Sequence, residues 1–280
     1  MAEITAAAVK ALREKTGLPM MDCKKALTEA DGNEDKAIEL LRKAGAKLNE
    51  KRADRETAFG RFGIYCGTDK SEGGIVELKC ESAPVTKNDE FIQLAQDLAE
   101  AVAKNESIDD AEKLLDLESP SKPGMTLREQ KDELFNRIRE VFKVGRIKRF
   151  SGGTGGYSHN SGTISGVLVA VDGGNDEVAK DVSMHIAAMR PAALAKEDLD
   201  SEIVDKEREI LRAAAIKDGK PEKIVDKIVE GQLRSFFADR VLLEQPFVKD
   251  GNVTVGNFAE SNGMKIRDFV HWELGVDSNA

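Results

Sequence analysis

Apolar residues recur along this chain in two rhythms, and each change of rhythm marks an element. Ile4, Ala8, Val9 and Leu12 repeat at helical spacing until Thr16-Gly17 ends the run. Cys23, Ala26, Leu27 and Ala30 form a second stripe, with Asp22 as its expected N-cap. Asp31-Gly32-Asn33 reads as a turn. Asn33 then caps a third helix carrying Ala37, Ile38, Leu41 and Ala44, which Gly45 is expected to stop. Residues 3–48 thus read as a bundle of three short helices with a thin core. The charged run Lys47–Arg55 lacks apolar periodicity and is either a helix extension or a linker.

The rhythm then shortens to that of strands. Phe59–Cys66 and Gly74–Cys80 flank the polar turn Gly67-Thr68-Asp69-Lys70-Ser71 and predict an antiparallel hairpin. The second strand leads through Cys80-Glu81-Ser82-Ala83-Pro84-Val85-Thr86-Lys87 into a helix opened by Asn88-Asp89-Glu90. Phe91, Leu94, Ala95, Leu98, Ala101 and Val102 form its apolar face. Downstream, strand Gly166–Val171 and a helix opened by Asn175-Asp176-Glu177 repeat the arrangement. We read a duplicated α+β unit, whose first connection is the longer by five residues. Long loops on rigid scaffolds often carry function; a tolerated surface insertion is the other reading.

Pro120–Gly124 is a breaker, and Thr126 with Glu129 predicts a capping box for a helix through Leu127, Leu134, Ile138 and Val141. Strand Phe142–Phe150 follows. The glycine-rich run Gly152–Gly162 lacks a GK[ST] ending and lies between strands, so it is expected to be a flexible hairpin connection, with no role as a phosphate loop. Stripes over 202–241, broken by Asp218-Gly219-Lys220-Pro221, predict a protruding antiparallel helical hairpin. A helix over Thr254–Gly263 and a strand over Lys265–Leu274 close the chain. The fold class is α+β, divided as 1–55, 56–141 and 142–280, the last holding the hairpin.

Composition narrows the function. The 280 residues are 40% hydrophobic and 33% charged, which suits a chain with real cores. A net charge of −9 argues against general nucleic-acid binding, which needs a positive surface. Lys143, Arg146, Lys148 and Arg149 form the best local basic patch, but they alternate with Val144, Ile147 and Phe150 as the solvated face of a strand does. No apolar run approaches the ~18 residues of a spanning helix, and Met1–Thr5 has no signal-peptide character. Three cysteines without a CxxC pair indicate neither a disulfide framework nor zinc, which leaves a reducing cytoplasm as the expected compartment.

Catalytic constellations are missing. His159, His185 and His271 are far apart and none has a metal-ligand spacing. His185, among Met184, Ile186 and Met189, reads as a buried structural histidine, and His271 between Phe269 and Trp272 reads the same way. No nucleophile motif is present, so binding is favoured over chemistry and no cofactor is expected. Met20 and Met21 adjoin a tight turn and cannot both face inward. At least one forms an adaptable contact surface, or both cover the thin core.

Several stretches decide the matter: Val9-Lys10-Ala11-Leu12-Arg13-Glu14-Lys15-Thr16-Gly17, Met20-Met21-Asp22-Cys23-Lys24-Lys25-Ala26-Leu27, Lys79-Cys80-Glu81 with Lys87 and Phe91, Met184-His185-Ile186-Ala187-Ala188, and Gln245-Pro246-Phe247-Val248. In this order, over essentially the whole chain, they resemble bacterial elongation factor Ts. The resemblance implies a cytoplasmic guanine-nucleotide exchange factor for elongation factor Tu, without catalytic residues and without membrane or direct nucleic-acid contact. It implies a UBA-like N-terminal module whose Arg13, Met20, Met21 and Lys24 face the GTPase. The family's wedge after the first repeat strand, usually Thr-Asp-Phe-Val, disturbs the partner's Mg²⁺ site. Here it reads Ser82-Ala83-Pro84-Val85, without the acid or the aromatic, so a partner clamp or chaperone that does not drive exchange is the rival reading. By position the resemblance also marks His159 as partner-facing. The chain ends soon after Leu274-Gly275, so a further C-terminal helix found in some members is expected to be absent.

Overall fold

The computed structural model describes residues 4–276. Readings that rest on Met1–Glu3 or on the last four residues lie outside that range. The chain forms two compact units: one holds the chain up to Gly63 with Val76–Lys148, the other Ile64–Ile75 with Arg149 onward. Among the described residues, no helix is long and apolar enough to cross a membrane.

In the first unit, α1 (Ala6–Thr16) starts at Thr5, whose hydroxyl accepts the Ala8 N–H, and ends at Gly17 with φ +69. Helix α2 (Met20–Glu29) begins two residues before the expected Asp22 cap. Pro19 stands at its entrance instead, where a fixed φ and a missing N–H cost nothing. Asp22 lies in the first turn, and its carboxylate accepts the Arg139 guanidinium at 2.7 Å. Helix α3 (Glu34–Arg52) is capped by Asn33, which accepts the Lys36 N–H at 2.9 Å. It does not stop at Gly45. A Cβ built there would lie 1.7 Å from Asn136 Oδ1, so this glycine serves a close approach between helices and does not end one. Val9, Leu12, Leu18, Cys23, Leu27, Ala37 and Leu41 fill the bundle.

Strands β1 (Phe59–Tyr65) and β2 (Glu72–Cys80) come next. Helix α4 (Asp89–Lys104) is capped by Asn88, which accepts the Glu90 and Phe91 N–H groups. The short α5 (Ala111–Leu115) leads to a hairpin of β3 (Glu118–Ser119) and β4 (Lys122–Thr126), formed where the prolines and glycine of 120–124 read only as a breaker. Helix α6 (Leu127–Ile138) carries the expected Thr126–Glu129 capping box and ends at Arg139, with φ +66. Strand β5 (Lys143–Ser151) completes a sheet ordered β1-β2-β5.

The central strand explains its near-continuous apolar run, because it is buried on both faces. Its one buried acid, Glu77, is met by Arg146 of β5, with Nη2 at 2.9 Å and Nε at 3.1 Å. A second buried acid lies on α4. Asp97 accepts from Gln93 at 2.9 Å, Gln130 at 2.7 Å, Ser121 at 2.5 Å and Ser119 at 3.4 Å, joining α4, the β3–β4 hairpin and α6.

In the second unit, β6 (Thr154–His159), β7 (Ser165–Gly173) and α7 (Asp176–Met189) follow in order. The glycine-rich run is therefore largely a strand, contrary to the expected connection. A Cβ on Gly155 would meet the Ala179 side chain at 2.5 Å, so α7 lies directly on the bare strand. Helices α8 (Ser201–Lys217) and α9 (Glu222–Arg240) form the hairpin, packed on Ala215, Val225, Val229 and Leu233. A hairpin of β8 (Pro246–Phe247) and β9 (Asp250–Thr254), then α10 (Val255–Ser261) and β10 (Met264–Glu273), close the chain. The antiparallel sheet runs β10-β7-β6.

The duplication extends beyond the strand-to-helix pair. In both units a central strand enters an Asn-capped helix. In both, a short hairpin then feeds a Thr-capped helix and a final strand. Glu118 pairs with Thr126 and Ser119 with Lys122; Pro246 pairs with Thr254 and Phe247 with Asp250, with the register irregularity at the same place. His185 is buried and bridges Gln245 Oε1 at 2.9 Å and the Val248 N–H at 3.1 Å. Burial holds its pKa below the ordinary value, though the Gln245 bond opposes this.

Two glycine substitutions separate close approach from idle flexibility. Gly45→Ala should cost about 1–3 kcal/mol by overpacking, although alanine is the better helix former. Gly231→Ala, in α9 with nothing within 4 Å of a new Cβ, should gain about 0.5–1 kcal/mol. Urea unfolding midpoints check both, and equal shifts would contradict the account.

Candidate functional site

The connection between β2 and α4 is the only one of the two repeat connections that folds into an element of its own. In the second copy Gly173 and Gly174, both at positive φ, turn the chain directly toward Asn175. In the first, Ala83–Lys87 winds into a turn of 3₁₀ helix with Pro84 near its start. Proline's fixed φ suits that position, and the Thr86 hydroxyl closes the turn by donating to the Ala83 carbonyl at 2.7 Å. Val85 points inward and is buried, whereas Ala83 and Pro84 are exposed.

Each neighbour of the exposed pair is tied down. The Ser82 N–H donates to Glu140 Oε2 at 3.0 Å and its hydroxyl to Oε1 at 2.6 Å. Arg61 Nη1 donates to the Thr86 carbonyl at 2.8 Å, and the Asn88 N–H to the Val85 carbonyl at 2.9 Å. Glu81 accepts the Val141 N–H at 2.7 Å and Arg55 Nη1 at 2.9 Å. Burial works against the Glu81 anion, but the Val141 and Arg55 contacts together hold its carboxyl below the usual range. Beneath the turn, the Cys80 thiol donates to the Ser82 carbonyl at 3.3 Å. Burial, with the Glu140 and Glu81 charges adding to it, pushes that thiol up to about 12.

The N-terminal residues gather about the α1–α2 turn. Met20 and Met21 are 42% and 61% exposed, an uncommon state for two adjacent large apolar side chains. Arg13 on α1 and Lys24 on α2 are exposed on either side of them in sequence. Between the methionines and Cys23, Asp22 turns back to Arg139. Arg139 also accepts Arg52 Nη1 on its carbonyl at 2.6 Å, and Asn49 donates to Asp132 at 3.2 Å. The bundle is thereby fastened along α6.

His159 belongs to the second unit. Its Nδ1 lies 3.0 Å from the Tyr157 hydroxyl, and both line a cleft of about 450 Å³ with Met184, Arg190 and Val248. Among the described residues, no group of three or more His, Cys, Asp or Glu side chains is placed to hold a metal ion. The exposed methionines and the Ala83–Pro84 turn offer apolar contact and shape.

Arg139 and Glu140, which hold Asp22 and Ser82, carry no local signal in the sequence. Glu140 lies 58 positions from Ser82, and Arg139 lies 117 from Asp22, so no local pattern signals either pair.

The family model described as elongation factor TS matches residues 84–276. A protein named elongation factor Ts from Kineococcus radiotolerans is 44% identical over 99% of this chain and 100% of its own length. Those from Thioalkalivibrio sulfidiphilus and Nautilia profundicola are 40% and 41% identical, covering 97% and 98% of this chain and 92% and 94% of theirs.

A closed turn over Cys80 has a chemical consequence. Raising a thiol from 9.0 to about 12 lowers its thiolate fraction roughly a thousandfold near pH 8. Iodoacetamide should therefore label Cys80 at least ~100-fold more slowly in the folded protein than in urea. Peptide mass spectrometry reads the ratio, and similar rates would mean that the turn stands open.

Proposed function

The chain belongs to the elongation factor Ts family, and from that premise we propose that it promotes guanine-nucleotide exchange on elongation factor Tu during translation elongation. Its part in this is binding, with no bond made or broken by its own side chains. The N-terminal UBA-like module, residues 1–55, docks on the GTPase through Met20 and Met21, flanked by Arg13 and Lys24. Residues 56–141 present Ser82-Ala83-Pro84-Val85, and 142–280, with the hairpin 202–241 and His159, complete the contact. The place of work is the cytoplasm.

The observation that carries this reading is the exposed Ala83–Pro84 pair on a turn whose flanking residues are all bonded inward. A surface insertion with no task would not need such bracing. Pro84 adds a fixed φ, so little ordering entropy is lost on docking.

Nucleotide release then follows from linkage. Mg²⁺ in a GTPase bridges protein and phosphates, and a wedge that shifts its ligands weakens nucleotide binding. The factor must favour the nucleotide-free partner, and nucleotide must loosen the factor by the same ratio. A coupling of about 4 kcal/mol, expressed wholly in dissociation, speeds release roughly a thousandfold.

One observation favours a second reading, a clamp that binds without driving exchange. Ala83 and Pro84 are small and uncharged, so the plug they form is smaller than an acid–aromatic pair. Stopped-flow release of fluorescent GDP from the cognate elongation factor Tu separates the two. Acceleration at micromolar factor is expected; a stable complex with unchanged release would leave the clamp. Within the favoured reading, Pro84→Gly should lower the maximal rate more than the affinity. Met20→Ala with Met21→Ala should raise the half-saturating concentration more than it lowers the maximal rate.

A further inference from the structure

The two surfaces assigned to the partner are joined by two consecutive residues. Arg139 reaches Asp22, next to Met20 and Met21, at 2.7 Å; Glu140 takes both the N–H and the hydroxyl of Ser82, next to Ala83 and Pro84. Both side chains leave one point, the end of α6, where Arg139 adopts φ +66. A non-glycine residue in that region is uncommon, and here glycine would have no side chain to reach Asp22. The Arg139 carbonyl is held by Arg52 and its N–H by the Phe135 carbonyl, so the junction is fixed on both sides. Glu81, one residue before Ser82, accepts the Val141 N–H one residue after Glu140, which doubles the tie.

We propose that Arg139 and Glu140 are positioning residues that set the spacing between the Met20–Met21 contact and the Ala83–Pro84 turn, so that docking of the first delivers the second. This rests on the exchange-factor reading given above. Rigid linkage of two contacts makes the second one intramolecular, and its gain depends on geometry. A displacement of order 1 Å in a positioned group costs up to ~100-fold in rate.

Glu140→Ala should lower the maximal GDP-release rate at least ~10-fold, because the turn loses its anchor. Glu140→Gln should recover most of it, since its amide accepts the Ser82 N–H and donates to a reoriented hydroxyl. Ser82→Ala should give an intermediate loss, and combining it with Glu140→Ala should do no further harm. Asp22→Ala and Arg139→Gln should each raise the half-saturating concentration with little change in maximal rate, and together do no more than either alone. Multiplicative losses in either pair would overturn the inference.

A second arm needs no partner. In the free protein the Ser82 amide should be protected from hydrogen exchange and lose that protection in Glu140→Ala while α4 keeps its own. A Ser82 amide unprotected in the wild type would also overturn the proposal. If wild-type factor fails to accelerate GDP release, the exchange reading falls, and the amide arm still judges the anchor.

Discussion

A carboxylate buried in protein must find donors, and among the described residues Asp97 accepts from Gln93, Ser119, Ser121 and Gln130. Leaving such a charge unmet would cost several kcal/mol, so α4, the β3–β4 hairpin and α6 are held in one arrangement. That arrangement places the end of α6. From that end, Arg139 and Glu140 reach the N-terminal bundle and the turn before α4. The outer surfaces of this unit thus inherit their geometry from a polar cluster in its interior.

The same unit uses side-chain absence as deliberately as it uses charge. Gly45 lets Asn136 approach the backbone of α3, and in the other unit Gly155 lets α7 rest on β6. Each position gives up propensity or backbone order in exchange for proximity. The two halves share a plan in which a central strand enters an Asn-capped helix and a bulged hairpin enters a Thr-capped one. They differ at the connection, where one half uses two left-handed glycines and the other builds a proline-bearing turn.

What the chain's order of residues disclosed, and what it hid, follows the range of the forces involved. Asn88, Asn175 and the Thr126–Glu129 box act within three or four residues, so the helix starts they mark were legible. The strand and helix alternation of the duplicated core and the α8–α9 hairpin were legible for the same reason. Gly45 and Gly155 misled, because a glycine that stops an element and one that admits a neighbour look alike until the neighbour is known. Asp22 misled similarly: it is a good cap by type, yet its partner is a distant arginine. Of the candidate site, the methionines and the loop drew attention through local oddity, whereas Glu140 and Arg139 act across the fold and left no trace in sequence spacing.

The bracing of residues 81–88 also bears on the thermodynamics of encounter. A segment already closed by its own hydrogen bonds brings no coil-to-turn transition to a complex. If this segment meets the partner as proposed, the heat-capacity change on association should scale with the apolar area the two surfaces exclude from water, without the excess that coupled folding adds.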